Sequence, residues 1–495
     1  MLSRGVIKQL STNKELYAYL KKTFGFSTFK PGQKDVITNL LKARSTVAVL
    51  PTGTGKSLCY QFFGKYTQQT VLVVSPLLSL MQDQVEQLRL NGEKRVVAIN
   101  SNLKFQEKQQ VLKSLGQYSF IYLAPEMLRN EDVIKAFDHI KIGLLVIDEA
   151  HCISAWGPDF RPDYLQLGKI RHRLGDPLTL AVTATATNRV LKDIVTLLRL
   201  PANAQVIKHS VDRPNIFLAA EKTINENDKN QHLIKLVQKL RAPGLVYFSS
   251  KKQCDKVSEL LKNQTGLRIG SYHAGLSFSE RYAVQQQFLS GHLDLICATS
   301  AFGMGINKSD IRFVIHYHMP QDLESYVQEI GRAGRDGKQS IAIILFSEND
   351  QFLQRRLAFS SLPNADELET YQKFPELLEK MSRENESAEL VLRYRQMGID
   401  FTQMSHIFAQ RRTEKLQAIQ QMLTYVNSEN CKRNFILNYF DEDQHVKHDN
   451  KCCQLAEQSL DLQLLFGSQP APIQHQKNDN PKSYQTILKK LFKNY

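Results

Sequence analysis

LLVIDEAHCISAWGPDFRPDY, residues 144–164, is the stretch whose reading decides the fold. Residues 144–147 are apolar and read as a buried strand. Asp148 and Glu149 follow side by side, and His151 comes two residues later. A strand that ends in adjacent acids can hold a metal ion and aim a water molecule. Directly behind it lies a loop with the only tryptophan of the chain, Trp156, together with Phe160, Arg161 and Tyr164. The stretch reads as a joint between nucleotide chemistry and a flat, anionic partner.

Upstream, the β-branched run TVAVL (46–50) leads into PTGTGKS (51–57) and a helical segment. Strand, glycine loop and helix is the context that a phosphate-binding loop needs. Thr52, Gly53, Thr54 and Gly55 would let backbone N–H groups close around phosphate oxygens, and the helix N-terminus adds partial positive charge. Lys56 would reach the outer phosphates and Ser57 would bind magnesium. Leu50 stands where the strict pattern has glycine, so this is the shorter G-x-G-K-S form. VLVVSPLLSLMQDQ (71–84), FIYLAPEML (120–128) and LTLAVTATAT (178–187) repeat the strand-then-loop pattern. That rhythm predicts one parallel sheet with helices on both faces, and ligands collect at the carboxyl ends of such strands. Ser75, at one of those ends, is expected to touch a phosphate backbone.

A second rhythm starts after a polar stretch, 201–230. Strands are expected at 244–250, 267–276, 293–307, 311–319 and 341–346, so a second parallel α/β domain follows the first. Between its last two strands lies QEIGRAGRDG (328–337), where Arg332 and Arg335 alternate with glycines. Glycine permits close backbone approach, and arginine presents a forked donor to phosphate. From about residue 350 the composition turns helical and charged. The end of the chain, YQTILKKLFKNY, is a short basic amphipathic segment expected on a flexible tether.

The 495 residues allow several domains at roughly 100–200 residues each. A net charge of +15 is the compositional outlier, and it fits a polyanionic partner. The apolar runs fall short of the ~18 residues of a membrane span. The N-terminal stretch lacks the apolar core of a secretion signal, so a cytoplasmic location, at the nucleoid, and no membrane partner are expected. Cys59, Cys152, Cys254 and Cys297 sit in apolar segments, as reduced buried thiols do.

PTGTGKS, SPLLSLMQDQ, APE, DEAHCIS, TATAT, ATSAFGMGINK and QEIGRAGRDG, in this order and spacing, resemble the motor of superfamily 2 helicases. The loop ISAWGPDFRPDY narrows the resemblance to the RecQ family, in a short bacterial form. FGFSTFKPGQ (24–33) is similar to that family's N-terminal adenine motif. The resemblance implies ATP and magnesium as cofactors. It implies that Phe26, Lys30 and Gln33 recognise adenine, that Asp148 holds magnesium with Ser57, and that Glu149 acts as general base. It implies that Arg335, with Arg332 beside it, is the arginine finger, and that Trp156, Phe160 and Arg161 contact single-stranded DNA. The activity implied is 3′–5′ unwinding of DNA in recombination and repair, with RNA unwinding or a non-unwinding, nucleic-acid-stimulated ATPase as the alternative. The expected domains are two tandem RecA-like units, 1–206 and 207–352, a helical zinc-binding-like subdomain at 353–456, and a basic tail at 457–495. Expected partners are single-stranded and forked DNA, with single-strand-binding or other repair proteins at the tail, and the chain is expected to be a monomer.

Four departures from the family pattern stand out, one of them SSK (249–251) in place of a serine–arginine pair in the second domain. Lys30 replaces an arginine, Pro158 replaces a histidine in the aromatic loop, and Ala456 and Gln454 stand where another zinc ligand is expected. Four ligands are needed for a closed zinc site, and His445 or His448 could complete the three cysteines; Cys431, His448, Cys452 and Cys453 form the candidate set to test.

Overall fold

The structure is a computed structural model that describes residues 13–76, 78–100, 103–154, 162–303, 308–360, 362–443, 446–455 and 460–466. The first sheet is built from β1 (Thr46–Val49), β2 (Thr70–Val74), β3 (Val96–Ile99), β4 (Phe120–Leu123), β5 (Ile142–Ile147), β6 (Thr179–Thr183) and β7 (Gln205–Lys208). Their order is β3-β4-β2-β5-β6-β1-β7 and every pairing is parallel. β1, β4 and β6 are buried along their whole length, as continuous apolar runs covered by helices on both faces must be.

The second sheet holds β8 (Ile216–Lys222), β9 (Gly244–Tyr247), β10 (Ile269–Tyr272), β11 (Leu295–Ala298), β12 (Phe313–His316) and β13 (Ser340–Phe346). Its order is β10-β11-β9-β12-β13-β8, again all parallel. The expected α/β class with two tandem parallel-sheet domains is what the chain forms. β3, β7 and β8 were not expected as strands. β7 is an edge strand with partly exposed residues, so it lacks the apolar run by which its neighbours are read. The expected boundary at 206/207 falls inside β7, and the connection between the sheets runs from 209 to 215.

Helices fill residues 349–439, including the 27-residue helix Phe401–Asn427. The helical region divides in its packing. Leu378, Val391, Tyr394, Met404 and Phe408 form a core of their own. Ile419, Met422, Tyr425, Leu437 and Phe440 instead join one core with Leu218, Val314 and Ile344 of the second sheet. Cys453 adds a bridge to Leu218 at the free edge of β8, through Leu218 N–H to Cys452 O (3.3 Å) and Gln454 N–H to Leu218 O (2.8 Å). The expected tail from 457 also needs correction at its start. Leu462–Phe466 is a short helix whose Leu465 is buried against the opposite face of the second sheet.

Candidate nucleotide and DNA site

The phosphate loop lies between β1 and the helix Lys56–Thr67. Gly53 and Gly55 have φ of +86° and +74°, a conformation that residues with a Cβ rarely adopt. The space is closed as well: a Cβ on Gly53 would lie 3.0 Å from Arg335 Cγ, and one on Gly55 would lie 3.0 Å from Gln33 Nε2. Ser57 follows Lys56 in the first turn of the helix, where free backbone N–H groups point out of its end.

β5 ends at the acids. Lys56 Nζ lies 3.7 Å from Glu149 Oε1. Glu149 has φ +47°, a left-handed conformation that costs a non-glycine residue energy and clusters at functional positions. It is 6% exposed, and its Oε2 makes no hydrogen bond among the described residues. That oxygen sits 3.5 Å from His151 Nδ1, which is in turn 2.7 Å from Thr183 Oγ1 at the end of β6. Burial, followed by the adjacent charge of Glu149, pushes the Asp148 carboxyl up to about 7, and Lys56 pulls it back. Asp148 Oδ1 accepts from the Glu149 N–H (3.0 Å). An acid with an unfilled buried acceptor beside a lysine and a second acid can receive a proton from a water and share a cation.

The adenine-motif residues lie against the phosphate loop. Lys30 Nζ donates to Gly53 O (2.7 Å), and Gln33 Nε2 donates to Thr54 O (2.6 Å) and Gly55 O (3.1 Å). Phe26 is 55% exposed at the start of the same segment. Lys30 and Gln33 therefore tie the adenine motif to the phosphate loop.

The second domain reaches the loop through the turn after helix Leu323–Ile330. Arg335 packs over Gly53, while Arg332 is buried and donates to the Gly303 carbonyl. Burial, then Arg332 and Arg213, lower the Arg335 guanidinium to about 9. Lys30, Lys56, Arg213, Arg332 and Arg335 thus crowd one cleft. Like charges at that density favour a polyanion between them.

The aromatic loop residues Trp156, Pro158, Phe160 and Arg161 lie outside the described residues. Its flanks are fixed. Ser154 donates to Asp193 (2.7 Å), Arg129 pairs with Asp163, and Tyr164 OH donates to Asp148 O (3.1 Å). Tyr164 ties the end of the loop to the acid pair, a contact that its apolar ring did not announce. Ser75 departs from expectation. It is 1% exposed, so in this conformation its hydroxyl is enclosed rather than presented to a strand.

Cys431, His448, Cys452 and Cys453 come together with their ligand atoms within 4.8 Å of one another. Cys431 Sγ is 3.5 Å from Cys452 Sγ and 3.6 Å from Cys453 Sγ, and Cys453 Sγ is 3.6 Å from His448 Nδ1. A tetrahedron with Zn–S of about 2.3 Å and Zn–N of about 2.0–2.1 Å requires S···S of about 3.8 Å and S···N of about 3.6 Å. The four residues fit zinc, with His448 as the fourth donor. Gln454 is engaged elsewhere: its side chain accepts from Ala220 N–H (3.1 Å) and donates to Glu221 (2.7 Å) on β8.

Two parallel sheets that close one cationic nucleotide cleft define a class, the two-domain helicase motors. A model for DEAD/DEAH box helicases matches residues 30–194, one for the helicase conserved C-terminal domain matches 228–337, and one for RecQ zinc-binding matches 393–455. The probable ATP-dependent DNA helicase RecS of Bacillus subtilis is 42% identical over 481 residues, with 93% of this chain and 96% of the relative covered. The ATP-dependent DNA helicase RecQ of Haemophilus influenzae is 33% identical over 452 residues, with 91% of this chain but 65% of the relative covered. The chain belongs to the RecQ family of helicases. Among solved structures, the DEAD-box helicase Mss116 bound to single-stranded RNA shares the fold with a TM-score of 0.58 at 15% identity, over 86% of this chain and 90% of that one.

Proposed function

We infer that the chain is an ATP-dependent DNA helicase of the RecQ type that moves 3′–5′ on single-stranded DNA. The observation that carries the reading is the packing of Arg335, from the second domain, over Gly53 of the first. ATP seated on the loop 51–57 would be contacted from both domains, and cleavage of its terminal phosphate would loosen their grip on each other. In this reading Gly53, Gly55 and Lys56 hold the phosphates, and Phe26, Lys30 and Gln33 border the base. Glu149 takes a proton from the attacking water. Arg335, with Arg332 behind it, faces the charge that develops on the transferred phosphoryl group. Ser57 and Asp148 would hold magnesium, which neutralises phosphate charge when bound. Trp156, Phe160 and Arg161 would grip a single strand, and Tyr164 would carry that contact to Asp148.

The domain division is proposed as two RecA-like units meeting near 209–215, followed by the helical region. Its Cys431, His448, Cys452 and Cys453 would hold a structural zinc. Residues 467–495 are proposed as a docking segment for single-strand-binding or other repair proteins. A cytoplasmic, nucleoid-associated monomer is the setting proposed for this activity. Among the described residues no helix is long and apolar enough to cross a membrane.

The deciding experiment is strand separation on 3′-tailed, 5′-tailed and forked duplexes with ATP and magnesium, with ATPase activity followed on DNA and RNA. Unwinding of 3′-tailed and forked DNA is expected, with little from 5′-tailed duplex. Equal ATPase stimulation by RNA would favour the RNA reading, and stimulation by DNA without strand separation would favour a translocase.

A further inference from the structure

The segment between the two sheets, VDRPN at 211–215, carries an arginine, Arg213, whose guanidinium makes four hydrogen bonds to backbone carbonyls. Arg213 Nη1 donates to Thr52 O (3.3 Å) in the phosphate loop and to Gly331 O (3.1 Å) at the end of the helix before Arg332. Its Nη2 donates to Ala333 O (3.0 Å) and Gly334 O (2.8 Å). One planar fork therefore fixes the carbonyls on either side of the cleft, in the two segments that hold Lys56 and Arg335. A lysine ammonium could not span them, because its three donors radiate from a single nitrogen.

Arg213 is itself held from the helical region. Arg433, 4% exposed, donates Nη1 to the Arg213 carbonyl (2.9 Å) and to the Asp212 carboxylate. Its Nη2 donates to Ile216 O (2.6 Å) and Cys452 O (3.1 Å), and its Nε approaches Cys452 Sγ (3.4 Å). Neighbouring contacts clamp the same segment. Lys208 donates to Phe440 O (2.6 Å), Val211 N–H donates to Glu442 (2.8 Å), and Ser210 donates to Glu442. A buried arginine with donors matched to carbonyls and a carboxylate is rigid, because leaving any of those groups unpaired in the interior is costly.

We propose that Arg213 is a positioning residue for ATP hydrolysis, and that Arg433 sets its fork, so that the Cys431–His448–Cys452–Cys453 cluster supports the nucleotide cleft as well as the fold. This rests on the motor reading above. The terminal N–H groups of Arg213 are taken up by four backbone carbonyls of the loop and turn. Its removal should therefore lower kcat through misplaced Lys56 and Arg335 while nucleotide affinity largely survives.

The test uses the full chain with Arg213→Lys, Arg433→Lys and the double variant, all keeping their charge. Steady-state ATPase on saturating single-stranded DNA is measured beside fluorescent-ADP affinity, melting temperature and metal content. Each single variant is expected to lose about tenfold or more in kcat, as small misplacements do. KM for ATP and ADP affinity should stay within about threefold, since binding contacts remain. The double variant should be no worse than Arg213→Lys, because both act through one fork. Arg213→Lys does not touch the cluster, so it reports even if Arg433→Lys fails to fold. Wild-type kcat in Arg213→Lys, or losses that multiply in the double variant, would overturn the proposal and leave the motor reading standing. A wild-type chain without ATP turnover would overturn both.

Discussion

Gly331 stands where the two domains touch, and its replacement by alanine gives a prediction with a worked size. Its φ is −60°, so the position does not need glycine for backbone reasons. Alanine there should even favour the end of the helix by up to roughly 1 kcal/mol. The obstacle lies across the cleft. The new Cβ would fall 1.9 Å from Thr52 Oγ1 and 3.2 Å from Thr52 Cβ. Rotation of the threonine hydroxyl relieves the first contact but not the second. Carbon atoms rest at about 3.5–4.0 Å, so the cleft has to open by roughly 0.5 Å. A misplacement of about 1 Å costs about 10²-fold in rate, so half of that costs about tenfold in kcat. Gly331→Ala should therefore melt no lower than wild type while its DNA-stimulated ATPase falls by about tenfold. Gly331→Val, which adds two methyl groups at the same point, should fall further. An alanine variant within about twofold of wild-type kcat would show that Thr52 and Gly331 do not meet in the hydrolysing state.

Glu149→Gln keeps the shape beside Lys56 but removes the proposed base, so hydrolysis should fall by about 10²–10⁴-fold with nucleotide binding retained; near-normal turnover would remove Glu149 from that role. Trp156→Ala should leave the DNA-independent ATPase intact and abolish its stimulation by single-stranded DNA, and surviving stimulation would refute the coupling assigned to the loop. The purified chain should carry about one zinc per molecule by elemental analysis, and His448→Ala should lose most of it and melt lower; full zinc content in that variant would exclude His448 as a ligand. Burial holds the His318 imidazole down at about 4, below its ordinary 6.5, and its Nδ1 accepts from Ser249 N–H (3.2 Å). The unfolded chain takes up that proton first, so this contribution to stability is full above pH 6.5 and is lost as the pH falls through 4. His318→Asn, which keeps an acceptor, should flatten the melting temperature between those values, and an unchanged slope would place the acid sensitivity elsewhere.

Strands buried on both faces were legible because their apolar runs have no alternation to confuse. β1, β5 and β6 end at PTGTGKS, DEAH and TAT, and the loops after those strand ends carry the residues proposed to hold the nucleotide. β7 was not legible, since an edge strand with half-exposed residues resembles a polar connection. β8 was hidden inside a polar stretch although its first four residues are buried. The three cysteines were legible through the family pattern, but His448 as the fourth donor and the quality of the fit were not. Spacing along the chain does not say whether His448 turns its ring toward Cys453. Ser75 lies just past a strand end, and only the packing shows that it is enclosed in this conformation.

The sequence by itself determined the class of fold and the family, and it supplied the residues from which the chemistry of the cleft is proposed. Those properties reside in local patterns: apolar runs that must be buried, glycines that must curl, and acids and a lysine at the ends of strands. Only the tertiary structure decided that Arg213 spans the two sides of the cleft, that Arg433 holds it, and that the second half of the helical region shares a core with the second sheet. These are contacts to backbone carbonyls and to surfaces far away along the chain. A carbonyl is the same on every residue, so an arginine that binds one leaves no mark in the sequence to show which partner it has.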